Sequence, residues 1–301
     1  MSFTRITVVG LGLIGSSVAR AARARIEGVQ VTGYDADPEV RRVAREIGLC
    51  DEIADDADAA AREADLVVLC VPVGAMGRAA ADLAPALPAD AIVTDVGSCK
   101  ASVVEALAAA LPGHVIVPAH PVAGTEQSGP TAGFATLFNH RWCILTPPEG
   151  TDPVAVDRVA GFWRALGAEV ETMAPDHHDR VLAVTSHLPH LIAYTIVGTA
   201  SDLEEVTQSE VIKYSAGGFR DFTRIAASDP TMWRDVFLAN REAVLDMLQR
   251  FSEDLALLQR AIRWGQGDAL FDHFTQTRAI RRSIVEQGQD DARADFGRTH
   301  E

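Results

Sequence analysis

The chain has 301 residues, enough for two domains, and its apolar share of 48% is enough for large cores. Its 27 basic residues stand against 42 acidic ones, and the resulting charge of −15 argues against nucleic acid and against an anionic membrane as partners. No apolar run approaches the roughly 20 residues needed to cross a bilayer, and Met1 to Arg5 do not read as a signal peptide. The four cysteines, Cys50, Cys70, Cys99 and Cys143, are too scattered for a disulfide framework or a close-spaced metal motif. A reducing, cytoplasmic setting is expected.

In chain order, the apolar strand Ile6–Val9 runs into Gly10-Leu11-Gly12-Leu13-Ile14-Gly15 and then a helix from Ser16. In such a G-x-G-x-x-G turn the first glycine permits the tight bend, the second lets a pyrophosphate approach the backbone, and the third allows close helix packing. The phosphates then meet the positive end of the helix. A second strand, Val29–Tyr34, ends in Asp35. An acid about 20 residues beyond the glycines takes the ribose diol and repels a 2′-phosphate. The expectation is NAD rather than NADP, although Asp37 could share the role and Arg41 and Arg42 could soften the discrimination.

The βα alternation continues through apolar strands at Asp65–Val73, Ala91–Val96, Val115–Val117 and Arg141–Thr146, then a helix near Val154–Leu166 and a strand at Glu169–Thr172. Near-continuous apolar strands of this kind belong to a parallel sheet covered on both faces. From Pro175 the periodicity is helical to the end. Helices are expected over Asp176–Thr199, kinked at Pro189, then Val206–Tyr214, Pro230–Gln259 and Asp268–Glu286, with a polar tail from Gln287. Long apolar helices of this type can pair across a dimer axis.

Three groups carry chemistry. Ser98 and His120 would both lie at carboxyl ends of strands, on the side of the glycine loop, where α/β folds bind ligands. Val115–Val117 leads towards His120-Pro121, which reads as a strand that stops because proline cannot continue the ladder. A serine and an imidazole beside a nicotinamide suit a dehydrogenase, with the histidine taking the alcohol proton. The plainer alternatives are an incidental loop histidine and a helix N-cap for Ser98. The second group is Ser186-His187-Leu188-Pro189-His190, whose histidines share a helix face. It reads as the wall of a cleft, as hydrogen-bonded core histidines or, with no further ligand motif in support, as a metal pair. The third is Gly217-Gly218-Phe219-Arg220-Asp221-Phe222-Thr223-Arg224, followed by Trp233, read as a loop between helices. In so acidic a chain, an arginine behind two glycines is suited to hold an anionic substrate through its bidentate fork. The alternative is a salt bridge between Arg224 and Asp221.

Together these motifs, with Asp95-Val96-Gly97-Ser98-Cys99-Lys100 and His120-Pro121-Val122-Ala123-Gly124-Thr125-Glu126, resemble the prephenate/arogenate dehydrogenase family over about residues 5–285. The resemblance implies a Rossmann-type NAD domain over 1–173 and an all-α substrate-binding and dimerisation domain over 174–301. It implies oxidative decarboxylation of a cyclohexadienol, prephenate giving 4-hydroxyphenylpyruvate and arogenate giving tyrosine, in a homodimer; the residues themselves offer no metal motif. His120 would be the base with Ser98 hydrogen-bonded to it. Arg224 would bind a substrate carboxylate, and His190 would bind or orient the substrate. Thr125 and Gly217 would contact it, while Glu126, Asp221 and Trp233 would line or gate the pocket. His178 and His187 match histidines of less defined role, His187 being placed with the substrate-binding set. Cofactor contacts would come from Gly10, Gly12, Leu13, Ile14, Gly15, Asp35, Val71, Pro72 and Ser98. Where the chain ends, the resemblance implies no fused regulatory or mutase domain, so that any inhibition by tyrosine would act at the active site. The rival readings are a β-hydroxyacid dehydrogenase, for which Lys213 is the only lysine of the helical half, and a non-catalytic dinucleotide-binding module.

Overall fold

A computed structural model describes residues 3–125, 127–202 and 217–286. Its first half alternates strand and helix: β1 Arg5–Val9, α1 Leu13–Arg25, β2 Gln30–Tyr34, α2 Pro38–Glu46, β3 Glu52–Ile53, α3 Ala57–Ala61, β4 Leu66–Leu69, a 3-10 turn at Val73–Ala75, α4 Met76–Leu83, β5 Ile92–Asp95, α5 Ala101–Ala110 and β6 Val115–Ile116. The six strands form one parallel sheet in the order β3-β2-β1-β4-β5-β6. That order reverses at β1, and ligands of such sheets bind at the reversal, outside the strand carboxyl ends. Strands β4 and β5 are buried along their length and β1 from Ile6 onward, as the apolar runs require, and helices cover both faces.

His120 does not follow a strand that stops. It sits inside β7, Ala119–Pro121, the edge of a second sheet completed by β8 Trp142–Leu145 and β9 Glu169–Thr172, with α6 Pro153–Ala165 between the last two. β7 runs antiparallel to β8, with His120 opposite Ile144 and Pro121 opposite Cys143. Proline is tolerated in this position because an edge strand need not donate on its outer side.

The helical part opens with α7 Pro175–Leu182, passes through a π turn at Ala183–His187 and continues as α8 Leu188–Asp202. At Pro189 the sequence predicted a kink. The structure places the π turn immediately before it, with the Leu188 amide donating to the Ala183 carbonyl, five residues back rather than four. The whole helix Pro175–Asp202 is long and apolar enough, by length and composition, to cross a bilayer, contrary to the expectation that no apolar run reaches that length. It nonetheless carries buried His178, Asp179 and His187, which bind inward partners described below.

The Gly217–Arg224 segment is a helix rather than the expected loop: α9 Gly217–Thr223 runs into a 3-10 turn at Arg224–Ala227. The single helix expected over Pro230–Gln259 is two, α10 Pro230–Ala239 and α11 Arg241–Arg263, followed by α12 Gly267–Glu286. The break falls at Asn240, a buried residue whose side chain is used elsewhere. By compactness the chain forms one unit over Met1–Leu245 and a second from Asp246 onward. The first runs through residue 173 because Asp179 of α7 caps α5, and because Trp233 and Val236 of α10 pack on Cys99. The expected helix over Val206–Tyr214, the tail from Gln287 and Glu126 lie outside the described residues.

Candidate active site

The glycine loop is shaped by close approaches. Gly10 has φ +91°, a left-handed conformation, and a Cβ there would lie 2.6 Å from the Cys70 carbonyl oxygen. A Cβ on Gly15 would come within 1.8 Å of the Gly10 carbonyl oxygen. Gly12, by contrast, faces open space, the condition for a ligand to approach its backbone. The Asp35 carboxylate accepts from the Leu11 amide at 2.8 Å and from the Asp37 amide at 2.9 Å, which fixes it beside the loop. Asp37 is the N-cap of α2, accepting from Glu39, so the two acids have separate tasks. Arg42 is paired with Glu39 and Glu46, while Arg41 donates to the Asp35 and Ala36 carbonyls. Leu13 and Ile14 open α1, and Val71 packs behind Gly10 with exposed Pro72 after it. These groups fit a dinucleotide: an open backbone turn at a helix N-terminus for the phosphates, and a fixed carboxylate for a ribose.

Around His120 the positioning is tighter and comes from further away. Lys100 and Asp95 form an ion pair with no solvent exposure, Nζ to Oδ2 at 2.5 Å. Both partners hold Ala119: Lys100 Nζ donates to its carbonyl at 2.7 Å, and its amide donates to Asp95 Oδ1 at 3.3 Å. The backbone leading into His120 is thus clamped from both sides. The imidazole Nδ1 lies 2.8 Å from His178 Nε2, and His178 Nδ1 lies 2.8 Å from Asp179 Oδ1. Asp179 also accepts from the Lys100 and Ala101 amides at the start of α5. It therefore supplies the cap that Ser98 was considered for.

Burial sets the charge states. Desolvation holds His120 well below the ordinary histidine value, aided by repulsion from His178, Lys100 and His187. Burial also lowers His178, and the Asp179 hydrogen bond offsets only part of this. For Asp179 burial acts upward, but the donors from His178, Lys100 and Ala101 outweigh it and leave the carboxyl below its usual range. The site at neutral pH is two neutral imidazoles and one carboxylate.

From Asp179 the contacts continue. Asn240 Nδ2 donates to the Asp179 carbonyl at 2.8 Å and lies 3.1 Å from His187 Nδ1. Burial pushes His187 down to about 4, and its Nε2 has no hydrogen-bond partner among the described residues. His187 meets the edge of Trp233, and His190 stacks on the same indole with centroids 3.7 Å apart. The two histidines do share a face, and Trp233 is what they share. His190 Nδ1 bonds the Ser186 carbonyl at 2.8 Å. Burial lowers its pKa, with the nearby Arg224 charge acting the same way. A line of contacts therefore joins His120 through His178, Asp179, Asn240, His187 and Trp233 to His190, which feels the charge of Arg224.

Other expected residues stand apart. No hydrogen bond joins Ser98 to His120 among the described residues; the imidazole is held by His178 instead. Thr125 is exposed, with its hydroxyl accepting from the Gln127 amide. Gly217 begins α9 close to Asp221. Asp179 and Asn240 are not among the site residues expected from the sequence. The available signal was Asp176-His177-His178-Asp179, a polar cluster at the head of an otherwise apolar helix.

A doubly wound sheet with an open glycine turn, joined to helices that surround a buried neutral histidine, defines a nucleotide-binding oxidoreductase. Residues 18–172 match the family model for the prephenate dehydrogenase nucleotide-binding domain, and residues 174–276 match that for its dimerization domain. The chain belongs to the prephenate dehydrogenase family. It is 48% identical to the cyclohexadienyl dehydrogenase of Zymomonas mobilis, over 94% of this chain and 96% of that one. It resembles the crystal structure of Aquifex aeolicus prephenate dehydrogenase in complex with hydroxyphenyl propionate and NAD+, at TM-score 0.87 and 35% identity, covering 94% and 99% of the two chains. Synechocystis arogenate dehydrogenase follows at TM-score 0.78 and 29% identity, covering 93% of this chain and 100% of that one.

Proposed function

We propose that this protein oxidatively decarboxylates prephenate, arogenate or both with NAD, giving 4-hydroxyphenylpyruvate or tyrosine. The observation that carries the reading is His120: a buried imidazole kept neutral and held at Nδ1 by His178, at the head of contacts that run to His190 beside the Arg224 charge. When bound, NAD supplies the two-electron acceptor for a ring alcohol, and loss of the ring carboxylate as carbon dioxide makes the product aromatic. Gly10, Gly12, Leu13, Ile14 and Gly15 would hold its phosphates, Asp35 a ribose, and Val71, Pro72 and Ser98 its far end.

His120 Nε2 takes the proton of the substrate's ring hydroxyl, a role suited to a base that is unprotonated at working pH. Arg224 holds a substrate carboxylate through its guanidinium, and His190, stacked on Trp233, orients the ring. His187, Thr125, Gly217 and Asp221 complete the substrate set; Glu126 belongs to it by resemblance and lies outside the described residues. We assign residues 1–173 to the NAD domain and 174–301 to substrate binding and dimerisation. A homodimer is supported by the apolar residues that α11, α12 and the turn between them leave exposed, among them Leu255, Ile262, Trp264, Phe271 and Phe274. Four free cysteines, three of them buried, suit the cytoplasm.

The test is NADH and NADPH formation with each acid. Turnover of prephenate or arogenate is expected, with NAD preferred over NADP by more than about tenfold, since the Asp35 carboxylate repels a 2′-phosphate and Arg42 is already paired. Failure to turn over either acid would overturn the reading.

A further inference from the structure

We propose that His178 and Asp179 are the positioning residues of the base, fixing which nitrogen of His120 carries the proton. This rests on the reading of His120 as base and assigns a task to two residues that the reading leaves without one. The argument is a count of donors and acceptors. Asp179 is ionised and can only accept, so His178 must carry its proton on Nδ1, 2.8 Å from Oδ1. His178 is neutral, so its Nε2 is then an acceptor. His120 Nδ1, 2.8 Å away, must therefore be the donor. That leaves the lone pair of His120 on Nε2, the ring nitrogen for which no hydrogen-bond partner is found among the described residues.

Each link removes one alternative. Without the carboxylate, His178 could carry its proton on Nε2, and His120 would then have to accept at Nδ1 and present a protonated, useless Nε2. When His120 Nε2 takes the hydroxyl proton, the resulting imidazolium keeps its Nδ1–H on His178 Nε2, and the carboxylate two bonds along faces the new charge. Neither His178 nor Asp179 needs to give up or gain a proton. The geometry is reinforced at the backbone, where Asp95 and Lys100 clamp Ala119. The loop from Asp95 to Ala101 thus touches both the main chain before His120 and the carboxylate behind its side chain. Among the described residues the charged and titratable groups around His120 are His178, His187, Lys100, Asp95, Asp179 and the Cys143 thiol, and of these His178 alone hydrogen-bonds its ring.

The experiment uses the full-length protein labelled with 15N in its imidazoles, as wild type, His178→Gln and His178→Leu, with His120→Asn to assign the signals. Wild type at neutral pH is expected to show His120 with a protonated Nδ1 and a bare Nε2. His178→Gln keeps an oxygen acceptor and His178→Leu keeps none. In the leucine variant kcat should fall by at least about a hundredfold, with KM for prephenate within about threefold, while the glutamine variant recovers at least about tenfold of the loss. The spectrum needs no substrate, so a wrong substrate assignment would leave the tautomer result standing. A wild-type His120 protonated at Nε2 would overturn the proposal, and this reading holds even if the leucine variant does not fold. So would a folded leucine variant with kcat within about threefold of wild type, or a glutamine variant no better than leucine.

Discussion

The glycine loop and the surroundings of His120 are two solutions to the same problem, that of holding a few atoms in place at the mouth of a sheet. The loop is built from one βαβ unit, and its fixed acid lies 24 residues from the amide it accepts. The histidine is held by residues drawn from β5, α5, α7 and the break after α10. Local construction tolerates little because backbone meets backbone. Dispersed construction makes function depend on packing between elements that are distant in sequence.

The two regions should fail in different ways. The largest effect is expected from His120→Asn, which removes the base and leaves the fold: kcat should fall by at least about a thousandfold with the melting temperature nearly unchanged, measured by steady-state kinetics beside calorimetry. Gly15→Ala should do the reverse. A Cβ 1.8 Å from the Gly10 carbonyl forces α1 away from β1, so thermal unfolding should show a loss of about 3 kcal/mol or more, with NAD binding weakened in titration calorimetry.

Acid should act on the dispersed region first. His187 titrates near 6.5 when unfolded and at about 4 when folded, so the unfolded chain takes up a proton that the folded chain refuses. The stability present above pH 6.5 should therefore decline as pH falls towards about 4, by about 3 kcal/mol from this one group, with His120 and His178 adding in the same direction. Urea unfolding at stepped pH measures it, and His187→Gln should flatten the slope. The smallest effect is expected from Arg224→Lys. Charge is kept but the bidentate fork is lost, so KM for prephenate should rise by about tenfold or more while kcat changes less.

The same contrast explains what was legible in the sequence. Gly10, Gly12, Gly15 and Asp35 could be read because their neighbours in space are near neighbours in the chain, and the parallel sheet because its strands are unbroken apolar runs. His120 and Arg224 could be picked out as residue types. Their settings could not, since antiparallel pairing of β7 with β8 spans a long loop and proline at its end argued for a stop. Ser98 was paired with His120 because both follow strands, whereas the structure hands the ring to His178, 58 positions away. Asn240 hid inside what looked like one continuous helix, and its role appears only when the break turns its amide onto Asp179 and His187.

Asp179 caps the first turn of α5 and orders His178 with one carboxylate. Fraying at the first turn of that helix is therefore not a local event, because it frees the group that decides where the proton of His120 resides. The exchange rates of the Lys100 and Ala101 amides with heavy water become a reporter of catalytic competence, read from a helix end behind the reacting imidazole. Substitutions that loosen α5 far from the cleft should lower turnover in proportion to how often those two amides open.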